Sequence, residues 1–444
     1  MKFTRTEAMA ASESSDSEAF SEEDALTYTE EDSDEEPCTQ ITSDLRQSAS
    51  PLAIPSLLQE REAGGPCTPP QAINRKLASL FIPETPTCVA SYHDRGYLGK
   101  FSQDLYLAAW QGSRTITVSQ TNGGAQSMQV AKTLHCRTLR WTVTDIAATP
   151  DNRFLIYSTI APAIHLASIG ELSSIPTMSV ANVTDIHETL YLGEEDVEYG
   201  EGVWSLRWSP DQHHILAGSS AGSYVWDVGA QKVIRRFRHH LDDVNSVEYG
   251  DESGNLFFSG ADDNLIFAYD LRTKGEPLGA FVGHLSGLTY LDSAKDGWWL
   301  LSNSKDQTAK LWDIRRSLVS FAAAKKERSS RDVPRIGFDY RWQAPRRGIV
   351  RVHPRDGSVT TYRGHAVLQT LIRAKFSPAY TSRNYVYSGS ACGSVYIWDR
   401  YHGGSPIRIL DGGHDDVVRD VDWHPHEPFI VSLGFDGQVV KWDC

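Results

Sequence analysis

The chain has 444 residues, of which 40% are hydrophobic and 12 are tryptophan, so it can bury a sizeable core in one large domain or in two or three average ones. Its net charge is −14, but residues 1–45 contain 14 acidic side chains and two basic ones, so the remainder is close to neutral and lacks the basic field that direct nucleic-acid binding requires. No Cys-x-x-Cys pair, signal peptide or 18-residue apolar run occurs, which gives no indication of a metal, a cofactor or membrane insertion and favours a soluble protein of the nucleus and cytoplasm.

Residues 1–50 are rich in serine, glutamate and aspartate and contain too few apolar side chains to offset the entropy lost on ordering. We therefore expect a disordered acidic tail. Ser15, Ser21 and Ser33 each have an acidic residue three positions later, which is the pattern that an acid-directed kinase reads. The alternative interpretation is a tail that only increases solubility.

Residues 51–86 contain two stretches with apolar residues spaced three and four apart, "PLAIPSLLQERE" and "PPQAINRKLASLF". The intervening "AGGPCT" predicts a turn, so the segment reads as a short helix-loop-helix. Each helix is too short to be stable without a partner to pack against.

Residues 87–444 repeat one phrase that ends a short apolar run: "YVWDVG", "FAYDLR", "KLWDIR", "YIWDRY" and "VKWDC". The aspartates of these phrases are separated by 43, 43, 86 and 44 residues: Asp227, Asp270, Asp313, Asp399 and Asp443. This period and signature are typical of WD-repeat blades, each a four-stranded sheet. Two degenerate blades at 100–120 and 142–169 complete an all-β, seven-bladed propeller, and the long gap predicts an insertion at about 317–360, before blade six.

The last phrase ends at Cys444 and leaves no residues for the fourth strand of its blade. An open outer edge would leave the ring unclosed. We expect a strand within "TCVASYHD" (87–94) to fill that place and fasten the ring.

A set of histidine, serine, aspartate and an aromatic residue recurs in several blades and predicts a buried polar network. The sets are His240, Ser259, Asp263 and Tyr269; His284, Ser302, Asp306 and Trp312; and His414, Ser432, Asp436 and Trp442. Such a set resembles a hydrolase triad, but its recurrence favours a structural role and a protein that is not an enzyme. Blade six has Cys392 in place of the aspartate, beside His365, Ser388 and Trp398, so its network is predicted to be incomplete.

In two consecutive blades an arginine follows the aspartate by two positions, in "YDLR" and "WDIR". This arrangement resembles the W-D-x-R box of the WD-repeat substrate receptors of cullin-4 RING ubiquitin ligases, and the phrases "NSKDQTAKLWDIRR" and "YRGHAVLQTLIRAKFSP" strengthen the resemblance. The resemblance implies that the box meets the adaptor, damage-specific DNA-binding protein 1, and that a preceding helix-loop-helix inserts into it. The implied adaptor-binding residues are Tyr269, Asp270, Arg272, Trp312, Asp313 and Arg315, with the arginines as contacts and the aspartates fixing the turn.

On the opposite face, aligned positions of the innermost strands are expected to surround the channel mouth: Thr144, Trp204, Asn245, Thr289, Ile372 and Arg419. Trp204 and Arg419 are the best candidate anchors for a protein substrate, because an aromatic surface and a cation can both hold a peptide. Trp204 has the alternative role of plugging the channel.

The leading hypothesis is a noncatalytic substrate-recognition subunit that links the adaptor of a cullin-4 ligase to an unknown target protein. The alternative is a WD-repeat scaffold unrelated to ubiquitin, for example in chromatin or complex assembly. Binding to the adaptor distinguishes the two.

Overall fold

A computed structural model describes residues 82–121, 128–136, 141–169, 187–192, 202–273, 275–328, 333–334, 336–345, 351–401 and 403–444. The candidate phosphorylation sites and the expected helix-loop-helix up to residue 81 lie outside this part of the chain. In the described residues no helix is long and apolar enough to cross a bilayer.

Seven four-stranded antiparallel sheets confirm the all-β, seven-bladed propeller. Blade one comprises β2 (Gly96–Ser102), β3 (Leu105–Trp110), β4 (Thr115–Gln120) and β5 (Gln129–His135). Blade two comprises β6 (Val143–Ala148), β7 (Phe154–Thr159), β8 (Ala163–Ser168) and β9 (His187–Tyr191). Blade three comprises β10 (Val203–Trp208), β11 (His214–Ser219), β12 (Gly222–Asp227) and β13 (Lys232–Phe237).

Blade four comprises β14 (Val244–Tyr249), β15 (Leu256–Ala261), β16 (Ile266–Asp270) and β17 (Gly279–Phe281). Blade five comprises β18 (Leu288–Ser293), β19 (Trp299–Ser304), β20 (Thr308–Asp313) and β21 (Thr360–Tyr362). Blade six comprises β22 (Ala374–Phe376), β23 (Tyr385–Gly389), β24 (Val395–Asp399) and β25 (Arg408–Leu410). Blade seven comprises β26 (Val418–Trp423), β27 (Ile430–Gly434), β28 (Gln438–Asp443) and β1 (Thr85–Ser91).

The innermost strands of neighbouring blades pack side by side around the axis, and β26 of blade seven meets β2 of blade one. The second and third strands of each blade are buried on both faces, so they read as nearly continuous apolar runs. Trp110, Trp312, Trp398 and Trp442 are the largest fully buried side chains. The core therefore lies between and within the blades.

The ring closes where β1 pairs with β28 through six residue pairs, as the unfilled fourth strand of the last blade predicts. The amide of Glu84 extends the pairing by donating to Asp443 O at 2.8 Å, so the strand begins slightly before the expected boundary at 87. At the other end the amide of Tyr92 donates to Gly437 O at 2.9 Å. Gly437 has φ +77°, and a Cβ there would lie 2.1 Å from Tyr92 O, so this turn requires glycine.

The long insertion lies inside blade five, between its third and fourth strands, because β20 ends at Asp313 and β21 begins at Thr360. Val319 pairs with Ala280 on the edge of β17, and helix α1 (Phe321–Arg328) then buries Ala324 against the core of blade four. Farther along the insertion, Tyr340 O accepts a hydrogen bond from the amide of Gln369, which precedes blade six, at 2.8 Å. The insertion thus runs from one face of the propeller to the other.

Ring closure makes a stability prediction. Deleting residues 1–91 removes β1 and its six pairs with β28, which at roughly 0.2–1 kcal/mol each should lower the free energy of unfolding by about 1–6 kcal/mol. Deleting residues 1–80 leaves β1 intact and is the control. Chemical unfolding of the two truncated proteins measures the difference, and equal stabilities would contradict closure by β1.

Candidate functional site

The blade networks form as polar chains inside the sheets. In blade five His284 Nδ1 lies 2.9 Å from Asp306, and Nε2 lies 2.6 Å from Ser302 Oγ, which also accepts Trp312 Nε1–H at 2.8 Å. With Nδ1–H donating to the carboxylate, Nε2 accepts the serine proton. Blade seven repeats this geometry with His414, Asp436, Ser432 and Trp442, and blade four repeats it with His240, Asp263 and Ser259.

These sets are closed to a substrate. Ser259, Ser302 and Ser432 are fully buried, and Trp312 or Trp442 covers the hydroxyl of the latter two. A serine in this setting can neither reach a carbonyl carbon nor leave its hydrogen bonds without a buried polar group losing its partner. Among the described residues, no group of three or more His, Cys, Asp or Glu could hold a metal ion.

Blade six departs from the network, as its missing aspartate predicts. His365 Nε2 lies 2.9 Å from Asn303 Oδ1 of blade five, and its Nδ1 has no hydrogen-bond partner among the described residues. Trp398 Nε1–H donates to Arg363 O at 3.0 Å, away from Ser388. Burial lowers the pKa of His365 to about 4, because a protonated ring would place an unpaired N–H in the core.

His365 should make the protein acid-labile. The folded-state pKa of about 4 lies below the unfolded value of about 6.5, so the unfolded state takes up the proton first as the pH falls. This contribution to stability is complete above pH 6.5 and is lost towards pH 4, amounting to about 3 kcal/mol. His365→Gln keeps a donor for Asn303 and does not titrate.

Chemical unfolding at pH 7.5 and at pH 5 checks this assignment. The loss of stability on acidification should be smaller in His365→Gln than in the wild type. If both proteins lose the same free energy, His365 is not the responsible group.

The two arginine boxes lie on one face of the propeller, defined here as the lower face. It carries the turns that follow the third strand of each blade, together with the turns between first and second strands. Asp270 Oδ1 accepts the amide of Arg272 at 2.9 Å, and Asp313 Oδ1 accepts the amide of Arg315 at 2.9 Å. Each aspartate therefore fixes the turn that presents its arginine.

Both arginines are exposed, and each is held by a neighbour. The Arg272 guanidinium donates from Nε and Nη2 to the two oxygens of Asp270, at 2.9 and 2.6 Å, and leaves its other donors in solvent. The Arg315 guanidinium stacks 3.5 Å above the ring of Trp298, whose side chain is 45% exposed. Planar groups that are oriented before binding lose little entropy on contact, which suits them to a protein interface.

Two of the predicted adaptor-binding residues cannot be direct contacts. Tyr269 and Trp312 are buried, at 1% and 0% exposure, because their rings pack in the cores of blades four and five. Their part in the box is to anchor the strand that ends at the turn. Trp298 was missed by the sequence reasoning, since it lies far from the box in sequence and only the pairing of β19 with β20 brings it to Arg315.

The predicted channel-mouth positions on the opposite, upper face mostly join blades and do not offer a binding surface. The Asn245 amide donates to Leu288 O at 2.8 Å, Thr289 donates to Ile372 O at 2.8 Å, and Thr144 donates to Val203 O. All of these residues are buried, and Arg419 lies 3.7 Å above the ring of Tyr97. Substrate binding by Arg419, Asn245, Thr289 and Ile372 stays a prediction; here the first three are hydrogen-bonded to the next blade, and Ile372 O accepts from Thr289 of the preceding one.

Trp204 alone of these positions is partly exposed, and its Nε1–H donates to Ser220 Oγ at 3.1 Å. Most of these positions lie at a β-bulge, where the register between the first and second strands shifts, and the bulge changes the direction of the side chain. At Thr144, Asn245, Thr289 and Arg419 the bulged side chain donates to a backbone oxygen of the neighbouring blade.

A belt of buried charges around the axis was not predicted. Asp145 accepts Arg207 Nη1 at 2.8 Å and pairs with Arg373 Nη2 at 3.1 Å, and Arg207 Nε donates to Glu248 at 2.5 Å. On the other side Lys375 lies 2.9 Å from Asp420. The sequence signal was a charged residue at the equivalent position of most inner strands: Lys100, Arg207, Glu248, Asp292, Lys375 and Asp422.

Burial by itself raises the pKa of Asp145, but Arg373 and Arg207 outweigh it and hold that pKa well below its ordinary value. Arg373 also pairs with Asp420 at 3.3 Å, so one residue connects blades two, six and seven. Buried ion pairs therefore join several blades around the axis.

Removing one partner of the belt should be costly. Asp145→Asn leaves Arg207 and Arg373 undercompensated in a buried site and should cost about 3–5 kcal/mol of unfolding free energy. Asp151→Asn changes an exposed turn residue and is the matched control, expected to stay within about 0.5 kcal/mol. Denaturant titration measures both; a similar small effect of the two substitutions would show that the belt is dispensable.

Comparison with known proteins extends this description. The WD domain, G-beta repeat model matches residues 197–227, 231–270, 275–313 and 404–443. The match at 231–270 begins next to β13, the last strand of blade three, and ends with β16, the third strand of blade four. One sequence repeat thus spans two blades, which is why the last blade needs a strand from elsewhere.

The chain is 41% identical over 377 residues to the LEC14B protein of Lithospermum erythrorhizon, covering 83% of this chain and 76% of that protein. It is 32% identical over 433 residues to the DDB1- and CUL4-associated factor 11 homolog of Caenorhabditis briggsae, covering 92% of this chain and 75% of that one. The homolog of that name from Caenorhabditis elegans is 42% identical over 246 residues, which cover 54% of this chain and 42% of that protein.

Proposed function

The protein belongs to the family of WD-repeat propellers that includes the DDB1- and CUL4-associated factor 11 homologs and the LEC14B proteins, and we propose that it is a substrate receptor of a cullin-4 E3 ubiquitin ligase. In this role it binds the adaptor DDB1, damage-specific DNA-binding protein 1, and a target protein at the same time. Other subunits of the ligase transfer ubiquitin to the target, which is then degraded by the proteasome.

The observation that carries the proposal is the pair of presented arginines on the lower face. Arg272 and Arg315 occupy equivalent turns of adjacent blades, and Asp251 and Asp296, in the neighbouring turns of the same blades, form a β-bridge that ties the two sites together. Two fixed guanidinium groups on one rigid surface can engage carboxylates or carbonyl oxygens of a partner without reorganising. The names of the nematode relatives state association with DDB1 and CUL4.

The remainder of the molecule supports a binding role. The serine, histidine and aspartate sets are buried, and their polar groups are hydrogen-bonded to one another, so a structural role explains their presence. A receptor requires two separate surfaces on a rigid body, and a propeller provides them at opposite ends of its blades.

Adaptor binding tests the proposal directly. Arg272→Ala combined with Arg315→Ala should reduce co-purification of DDB1 at least about tenfold, since each interface arginine can contribute about 1–4 kcal/mol. Arg235→Ala combined with Arg236→Ala removes two exposed arginines from β13, on the side of blade three, and is the matched control. Equal and low recovery of DDB1 with wild type and double variant would favour a scaffold unrelated to the ligase.

Trp298 should be a second determinant of adaptor binding. Trp298→Ala removes both an exposed aromatic surface and the platform on which Arg315 stacks, and should weaken DDB1 binding about 5- to 50-fold. Trp342→Ala removes a tryptophan that is 85% exposed in the insertion and serves as the control. Surface plasmon resonance on immobilised DDB1 compares the two; unchanged affinity of Trp298→Ala would remove that residue from the interface.

A further inference from the structure

The insertion of blade five builds one wall of a cleft on the upper face, opposite the arginine boxes. The other wall consists of the connections that precede the first strands of blades four and five and the turns after their second strands. The cleft has a volume of about 910 Å³, and its lining includes Asp242, Asp262, Leu285, Lys305, Ile336 and Tyr340. This volume suits a short peptide segment.

The wall formed by the insertion is held in place by named contacts. Tyr340 O accepts the amide of Gln369 at 2.8 Å, and Lys305 Nζ lies 4.6 Å from the centre of the Tyr340 ring. Lys305 also donates to both oxygens of Asp262, at 2.6 and 2.7 Å, and Asn245 donates to the same carboxylate at 2.7 Å. The cleft is therefore preformed, with a polar floor that is already satisfied.

The carboxylates around the cleft are not fully compensated. Asp262 pairs with Lys305, whereas Asp242 and Asp339, which also line the cleft, form no ion pair within the described part of the chain. Burial, offset in part by Lys305, raises the pKa of Asp262, and the negative charges of Asp242 and Asp243 raise it further. Arg341 is a cation of the lining and lies with its guanidinium 5.8 Å from the Tyr340 ring.

Large apolar side chains are exposed in the two segments that line the cleft. Leu241, next to Asp242, is 74% exposed, and Trp342, next to Arg341, is 85% exposed. Inside the cleft Leu285, Ile336 and Phe338 provide an apolar lining. Exposed apolar groups beside unpaired charges are typical of a protein-binding surface, where the apolar groups supply affinity and the charges supply orientation.

We propose that this cleft binds the target protein, through an extended segment in which a lysine or arginine is flanked by apolar residues. The cation meets the carboxylates of Asp242 and Asp339, and the flanking residues cover the apolar lining. The role of the bound segment as a ubiquitination target rests on the proposed function, while its binding to the cleft does not.

Fluorescence anisotropy on the full chain tests the assignment. The probes are two fluorescein-labelled octapeptide libraries with a central arginine or a central glutamate and the same mixed apolar flanking positions. The arginine library should bind, with affinity that falls as salt rises, and the glutamate library should not. Asp242→Asn combined with Asp339→Asn should weaken binding of the arginine library at least about tenfold.

Asp415→Asn combined with Asp416→Asn is the matched control, because it removes two carboxylates from the upper connection of blade seven, outside the cleft. Equal losses in the two double variants, equal binding of both libraries, or no binding of the arginine library would overturn the proposal. DDB1 binding measured on the same preparations separates the two claims. If the wild-type chain binds the arginine library but not DDB1, only the ligase role is contradicted. If it binds DDB1 but not the arginine library, only the cleft assignment is contradicted.

Discussion

Closure of the ring between β1 and β28 is the constraint on which the rest of the structure depends. Seven blades complete one turn only if the last blade has an outer strand, and its own repeat supplies three. A strand from the beginning of the propeller fills the place, so its two ends are joined by backbone hydrogen bonds. Each blade then packs between two neighbours, and the closed ring cannot open unless the pairing of β1 with β28 is broken.

The buried charges near the axis also link the blades to one another. The inner strands bury charged side chains, and these cannot be left unpaired away from water. Arg207 and Arg373 are therefore each shared between carboxylates of different blades, and Lys375 of blade six pairs with Asp420 and Asp422 of blade seven. Arrangements of this kind add little net stability compared with apolar residues, but they fix the order and spacing of the blades, because any other spacing would separate charges from their partners.

A rigid ring leaves its two faces free to act independently. The lower face presents arginines from turns that aspartates hold, and the upper face carries the cleft whose wall the insertion builds. The insertion connects these regions physically, since it begins beside Arg315 and passes over the edge of blade four before reaching Tyr340. This separation suits the proposed role of a receptor that holds an adaptor and a target apart.

The sequence by itself determined the number of blades, the blade networks, the closing strand and the turns that present Arg272 and Arg315. Each of these depends on residues close together in the chain or on a pattern that recurs at the repeat period. Only the tertiary structure decided which side of the propeller the insertion reaches, that Arg419 and its equivalents join blades and do not line an open mouth, and that Trp298 supports Arg315. These features depend on contacts between residues distant in sequence, such as Asp145 with Arg373, whose pairing is set by the closed ring.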